Sequence, residues 1–153
     1  MGGIAMYKKT VTLFNRYVDS MGNTMWFPHV LSDVNLNIDK AVIKSRYGEQ
    51  SKDNAVLNVK YYFREFKKMV GDKLYFPPKE WERQVNDELP NCITFKGGND
   101  FDFFMLGNYG STEPIEDKKG TFFREIQQEY DYVFAITSIA EYSVMQHFEI
   151  TGK

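Results

Sequence analysis

The stretch Ala55-Val56-Leu57-Asn58-Val59-Lys60-Tyr61-Tyr62-Phe63 decides the fold class. Ala55, Leu57, Val59, Tyr61 and Phe63 take every second position, with Asn58 and Lys60 between them and Arg64 following. A period of two marks an antiparallel strand with one face in a core and the other in water. Upstream, Lys8-Lys9-Thr10-Val11-Thr12-Leu13-Phe14-Asn15-Arg16-Tyr17 is rich in β-branched and aromatic residues and predicts a first strand. Asp19-Ser20-Met21-Gly22-Asn23 predicts a turn into Thr24-Met25-Trp26-Phe27, because Gly and Asn tolerate positive φ. Val30 to Leu36 and Ala41 to Tyr47 are further strand candidates, and Gly48 to Asn54 is polar enough for an exposed loop.

Downstream the pattern changes. Tyr75-Phe76-Pro77-Pro78-Lys79-Glu80-Trp81 carries a Pro pair suited to the first turn of a short helix, with Trp81 as its anchor. Asn91 to Lys96 predicts a strand, Gly97-Gly98-Asn99-Asp100 a turn, and Phe101 to Met105 the return strand of a hairpin. Gly, Ser, Pro and charge crowd Gly107 to Lys119, which predicts a long, mobile loop over 107–120. Thr121 is placed to N-cap a helix of about three turns through Tyr130, with Phe122, Phe123, Ile126 and Tyr130 on one face. Tyr132 to Ile139 and Val144 to Thr151 complete the strands. The expectation is a mainly β single domain over 1–153, a small antiparallel β-barrel or sandwich with one or two short helices, preceded by a loose arm at 1–7.

Composition narrows the chemistry. The chain has 153 residues, 42% hydrophobic and 26% charged, and its 13 Phe, 10 Tyr and 2 Trp can fill a core without disulfide or metal staples. Nineteen Lys and Arg against 21 Asp and Glu give a net charge of −2, without the basic footprint of a protein that grips nucleic acid electrostatically. A single cysteine, Cys92, offers neither an internal disulfide nor a CxxC pair for zinc; between Asn91 and Ile93 in an apparent strand, it reads as a buried, inert thiol. His147 alternates with Met145 and Glu149 as a solvated strand residue, and nothing brings His29 to partners such as Asp33 for a metal. Asp100 and Asp102 lack a calcium-loop framework, and Gly97-Gly98 and Gly107 with Gly110 open no phosphate-binding helix. The expectation is therefore no enzyme, no metal and no cofactor, with no signal peptide and no apolar run long enough to cross a membrane. Lys60 to Lys68 interleaves aromatic and basic residues, either a core strand with a solvated face or a stacking platform for single-stranded nucleic acid.

The order of these pieces resembles a family of small phage and prophage virion proteins from Gram-positive hosts. The likeness is carried by Thr12-Leu13-Phe14-Asn15-Arg16-Tyr17, by Thr24-Met25-Trp26-Phe27, and by Tyr75, Pro77, Pro78 and Trp81. It continues through Thr94, Gly97, Gly98 and Asp100, and ends with Ile136-Thr137-Ser138-Ile139, His147, Gly152 and Lys153. The turn spread over Gly97 to Asp100 and the length of Gly107 to Lys119 depart from the compact family pattern. The resemblance implies a head-closure, or stopper, protein that forms a homo-oligomeric ring in the phage neck, between portal–adaptor proteins and the tail. Its place would be the virion, reached through the host cytoplasm, with passing DNA touched only non-specifically; mild acidity suits such a channel. Expected subunit contacts are Gly48, Gln50 and Asn54 in one loop and Asn108, Tyr109, Glu113 and Lys119 in the other, with Trp26, Trp81, Phe123 and Tyr130 as structural anchors. The rival readings are a tail terminator, tail tube or baseplate component, or, from another class, a small β-barrel that binds a ligand or single-stranded nucleic acid.

Overall fold

The computed structural model describes residues 8–38, 55–84 and 87–153. In chain order the strands are β1 (Lys9–Val18), β2 (Thr24–Ile38), β3 (Ala55–Lys60), β4 (Tyr62–Arg64), β5 (Lys67–Val70), β6 (Lys73–Tyr75), β7 (Cys92–Ile93), β8 (Phe103–Leu106), β9 (Ile115–Glu116), β10 (Val133–Tyr142) and β11 (His147–Gly152). Two helices join them, α1 (Pro78–Glu82) and α2 (Phe122–Glu129). Six strands close an antiparallel barrel in the order β1-β8-β10-β11-β3-β2, with β2 returning to β1. The period-two stretch is the wall β3, where Ala55, Leu57, Val59 and Tyr61 all point into the core. A mainly β barrel with one or two short helices is what the sequence predicts, and the described residues form such a barrel with two short α-helices.

Two bulges let the barrel bend. Lys9 faces Val34 but Val11 faces Leu31, so β2 carries one extra residue around Asp33, whose φ is 56°. A bulge reverses which parity points inward, so Leu31 before it and Val34 and Leu36 after it all reach the core. The first half of β2 pairs with β1 and its end with β3. The segment from Thr24 to Leu36 is therefore one bent strand rather than two, with Pro28 inside it. Between Phe27 and Val34, β2 has β1 on one edge and no strand of the 7-stranded sheet on the other, a setting that tolerates a missing N–H. A second bulge, near Thr137 on β10, brings Gly97 so close that a Cβ there would lie 2.9 Å from the Thr137 backbone. The strand candidate Ala41 to Tyr47 lies outside the described residues.

Helix α2 covers the outer face of the barrel at β1 and β8. Phe122 and Ile126 pack with Phe14, Trp26, Phe103, Met105 and Val133, and Phe14 stacks on Phe103 at 4.6 Å. Thr121 stands at the N-cap position but does not cap: its hydroxyl donates to Glu125, while Asp117 accepts from the N–H of Thr121 (3.0 Å) and of Phe122 (3.3 Å). On another side, α1 buries Trp81 against Phe27, Leu89 and Cys92, as the Pro pair predicts. A small sheet β4-β5-β6-β7 extends from the barrel, with β6 and β7 parallel.

The hairpin expected over Asn91 to Met105 does not form. β7 spans only Cys92–Ile93 and pairs with β6, while β8 pairs with β1 and β10. Side chains take the ladder's place. Asn15 Nδ2 donates to the Thr94 carbonyl (2.7 Å), Asn15 Oδ1 accepts from the Thr94 N–H (3.3 Å), and Asp102 Oδ2 accepts from the Lys96 N–H (2.9 Å).

Candidate functional site

At one end of the barrel two hairpins are linked near their bases. The turn Glu65-Phe66 joins β4 to β5, and Ser143 to Gln146 joins β10 to β11. Tyr61, between β3 and β4, makes the link: its N–H donates to the Gln146 carbonyl (3.3 Å) and its hydroxyl to the Tyr142 carbonyl (3.1 Å). Lys68 pairs with Glu141, and its ammonium rests 4.6 Å over the Tyr61 ring and within 6 Å of Phe63, Tyr75 and Phe148. Beneath it, burial pushes the Tyr75 phenol up to about 12, with Glu141 adding to the effect.

The tips themselves are apolar and bare. Phe66 is 100% exposed, Val144 96%, Met145 77% and Phe63 53%, with Tyr62 and Tyr142 close to half exposed. Glu65 and Phe66 also have φ of 52° and 68°, the left-handed pair of a type I′ turn. Such turns favour Asn-Gly, and a bulky side chain held at positive φ costs on the order of 1–2 kcal/mol per residue. In a lone chain Phe66 pays that strain and gains no packing. Backbone strain and bare apolar surface coincide at this spot, which makes it the candidate site. Met21 on the β1–β2 turn and Val18 at the end of β1 are also exposed.

At the opposite end of β10 the barrel is sealed by a buried carboxylate. Asp102 accepts from Asn15 Nδ2 (2.8 Å), the Arg16 N–H (2.8 Å) and the Lys96 N–H (2.9 Å), with Lys96 Nζ at 3.7 Å. Burial raises its pKa to about 6 against the pull of Lys96 and those donors. Every partner is a donor, so Asp102 is an acceptor that ties β1 to the 94–102 segment, and the arrangement supplies no nucleophile beside it.

The expected contact residues scatter. Gly48, Gln50 and Asn54 lie outside the described residues. Asn108 is exposed and accepts from the Gly110 N–H (2.7 Å), closing a local turn. Tyr109 faces inward, edge-on to Phe14 at 5.2 Å, with its N–H on Thr12 Oγ1. Glu113 and Lys119 are exposed. The span 107–120 holds strand β9, which pairs with Met25 and Trp26 of β2. Of the anchors, Trp26 and Trp81 are buried and Phe123 and Tyr130 partly so. Cys92 is buried, its thiol pushed up by that burial and by Glu88. His147 stacks on Tyr142 at 4.9 Å. His29 is fully buried with neither ring nitrogen hydrogen-bonded, and burial, then Lys73, pulls its pKa down to about 3. Among the described residues no three His, Cys, Asp or Glu side chains gather to hold a metal, and no helix is long and apolar enough to cross a membrane. The exposed tips escaped sequence reasoning because Phe63 continues the alternation on paper; the chain breaks it at Tyr61, where β3 ends and β4 begins.

The model of a family of unknown function, DUF6751, matches residues 6–153. The chain belongs to that family. The match spans the whole barrel, both helices and both hairpin tips, so these features fall within one family unit. No curated protein and no solved structure matches the chain.

Proposed function

We propose that the chain is a structural assembly subunit, and that it forms the ring of a head-closure protein in the neck of a tailed phage, as its resemblance to phage virion proteins implies. The observation that carries the assembly reading is Phe66, fully exposed and held in a strained left-handed turn. A subunit that gains its last apolar contacts from neighbours explains why such a tip is kept. The closed barrel supports the same reading, since a rigid wall fixes the direction in which the tips project. Partners are then further copies of the chain, portal–adaptor proteins on one side and tail proteins on the other.

Light scattering of the purified chain over a wide concentration range tests the proposal, together with its detection in purified virions. The wild type is expected to form closed oligomers or to appear in particles, and Phe66→Gly to remain folded but unassembled. A wild-type chain that stays monomeric throughout and is missing from virions ends the proposal.

A further inference from the structure

We infer that the cleft between α2 and the 99–101 turn is a binding site for a small molecule made of a flat aromatic ring and one acid group, carboxylate or phosphate. The inference goes beyond the assembly reading and does not depend on it. The cleft has a volume of about 340 Å³. That is the small end of the roughly 300–1,000 Å³ usual for ligand pockets, which suits a single ring system with its substituents. Trp26, Phe101 and Phe123 supply the apolar lining. Phe101 stands edge-on to Phe123 at 5.0 Å, and Phe123 leans on Phe103 at 4.8 Å. Both lining Phe rings are only half-buried, so they are held from behind and still offer surface on which a further ring packs.

The charges around the cleft select an anion. Arg16 is answered by Asp100, with Nη1 3.1 Å from its carboxylate. Asp117 is engaged by Trp26 Nε1 (2.9 Å) and by the N–H groups of Thr121 (3.0 Å) and Phe122 (3.3 Å) at the start of α2, where a negative charge is favoured. Arg124 is exposed and has no ion pair or hydrogen bond among the described residues. An adjoining depression shares Asp117 and Gly120 with the cleft; there Glu116 pairs with Lys118 at 4.0 Å, and Lys119 has no partner among the described residues. Glu125, next to Arg124 in sequence, lines a separate depression with Ile115 and Phe122. The unanswered charges at the cleft and its neighbour are therefore cationic.

Two carboxamides add polar recognition. Gln127 follows Arg124 by three residues on α2 and so shares its face, and Asn99 stands on the turn across the cleft. Neither is hydrogen-bonded among the described residues, and each both donates and accepts, which suits heteroatoms at a ring's edge. A guanidinium holds a carboxylate or phosphate through two parallel N–H groups. An acid on Arg124 with its ring on Phe101 and Phe123 answers the free charge and covers the bare rings together.

Calorimetric titration of the full chain with naphthoate and with adenosine monophosphate tests the site. Adenosine serves as the ring without the acid, and cyclohexanecarboxylate as the acid without the ring. At least one acid-bearing aromatic is expected to bind about tenfold or more tightly than either control, and Arg124→Gln to weaken it about tenfold with an unchanged melting curve. Tighter adenosine monophosphate makes the preferred acid a phosphate, and tighter naphthoate a carboxylate. If neither probe binds at millimolar concentration, or if Arg124→Gln binds like the wild type, the site is overturned. Neither result touches Phe66→Gly, which tests the assembly reading separately.

Discussion

The two ends of the barrel treat their side chains in opposite ways. At the Asp102 end a buried carboxylate meets three hydrogen-bond donors and an ammonium from its own chain, and the backbone of 94–96 is satisfied by Asn15 and Asp102. At the other end the turn at Glu65–Phe66 holds both residues left-handed and turns an aromatic ring into water. The first end is complete within one chain. The second is strained and bare, with no packing from its own chain to offset the cost. Polar burial and apolar exposure, each the reverse of the usual preference, thus separate an end closed by its own side chains from the end on which the assembly proposal rests.

Breaking the closed end has the largest effect. Asp102→Ala leaves Lys96 buried without its counter-charge and three donors unanswered, and is expected to cost about 3–5 kcal/mol, read as a fall in the denaturation midpoint. Unchanged stability would mean that Asp102 does not tie β1 to the 94–102 segment.

Acidity sharpens the contrast within the core. His29 is held neutral, its folded pKa of about 3 lying below the unfolded value near 6.5, so its contribution is lost as pH falls from about 6.5 toward 3. Asp102 has the opposite sign. Its folded pKa of about 6 exceeds the unfolded value near 3.8, so its contribution is full below about 4 and lost as pH rises through 6. Each group changes stability by at most about 1.4 kcal/mol per pH unit. Relative to wild type, His29→Leu is therefore expected to gain stability progressively as pH drops from 6.5 to 4, measured by denaturant titration at each pH. Parallel profiles for the two proteins would show that His29 does not titrate on unfolding.

The smallest change is at the open end and has the reverse sign. Phe66→Gly relieves about 1–2 kcal/mol of left-handed strain and gives back roughly 0.5–1 kcal/mol in chain entropy, for a net gain of about 0.5 kcal/mol. The same variant is the one expected to lose assembly. Stability rising while association falls is the signature of a residue kept for a partner; a loss of stability would make Phe66 part of the fold.

The wall of the barrel was legible in the sequence wherever one face alone is buried. The alternation of Ala55, Leu57 and Val59 reads directly as β3, and Phe122 and Ile126 read directly as the inner face of α2, which stops one residue short of the expected Tyr130. Legibility failed where side chains stand in for backbone. Nothing in Asn91 to Met105 announces that Asn15, 79 residues away from Thr94, takes the place of a ladder partner, so a hairpin was the natural reading. The bulge at Asp33 hides in the same way, since a one-residue insertion imitates the start of a new strand. The candidate surface was the least legible part. Exposed aromatics carry the same letters as buried ones, and only the break at Tyr61 tells Phe63 and Phe66 from core residues.

Closure of the barrel also sets a timetable. β1 pairs with β2 across one tight turn, but its other edge waits for β8, about 90 residues later, just as β3 waits for β11. Non-local pairings of this kind slow folding toward the millisecond-to-second range, and during that interval the early strands expose unpaired edges. A nascent chain therefore passes through a sticky stage before its wall is sealed. High expression or crowded synthesis would divert it toward aggregation at β1 and β3 first.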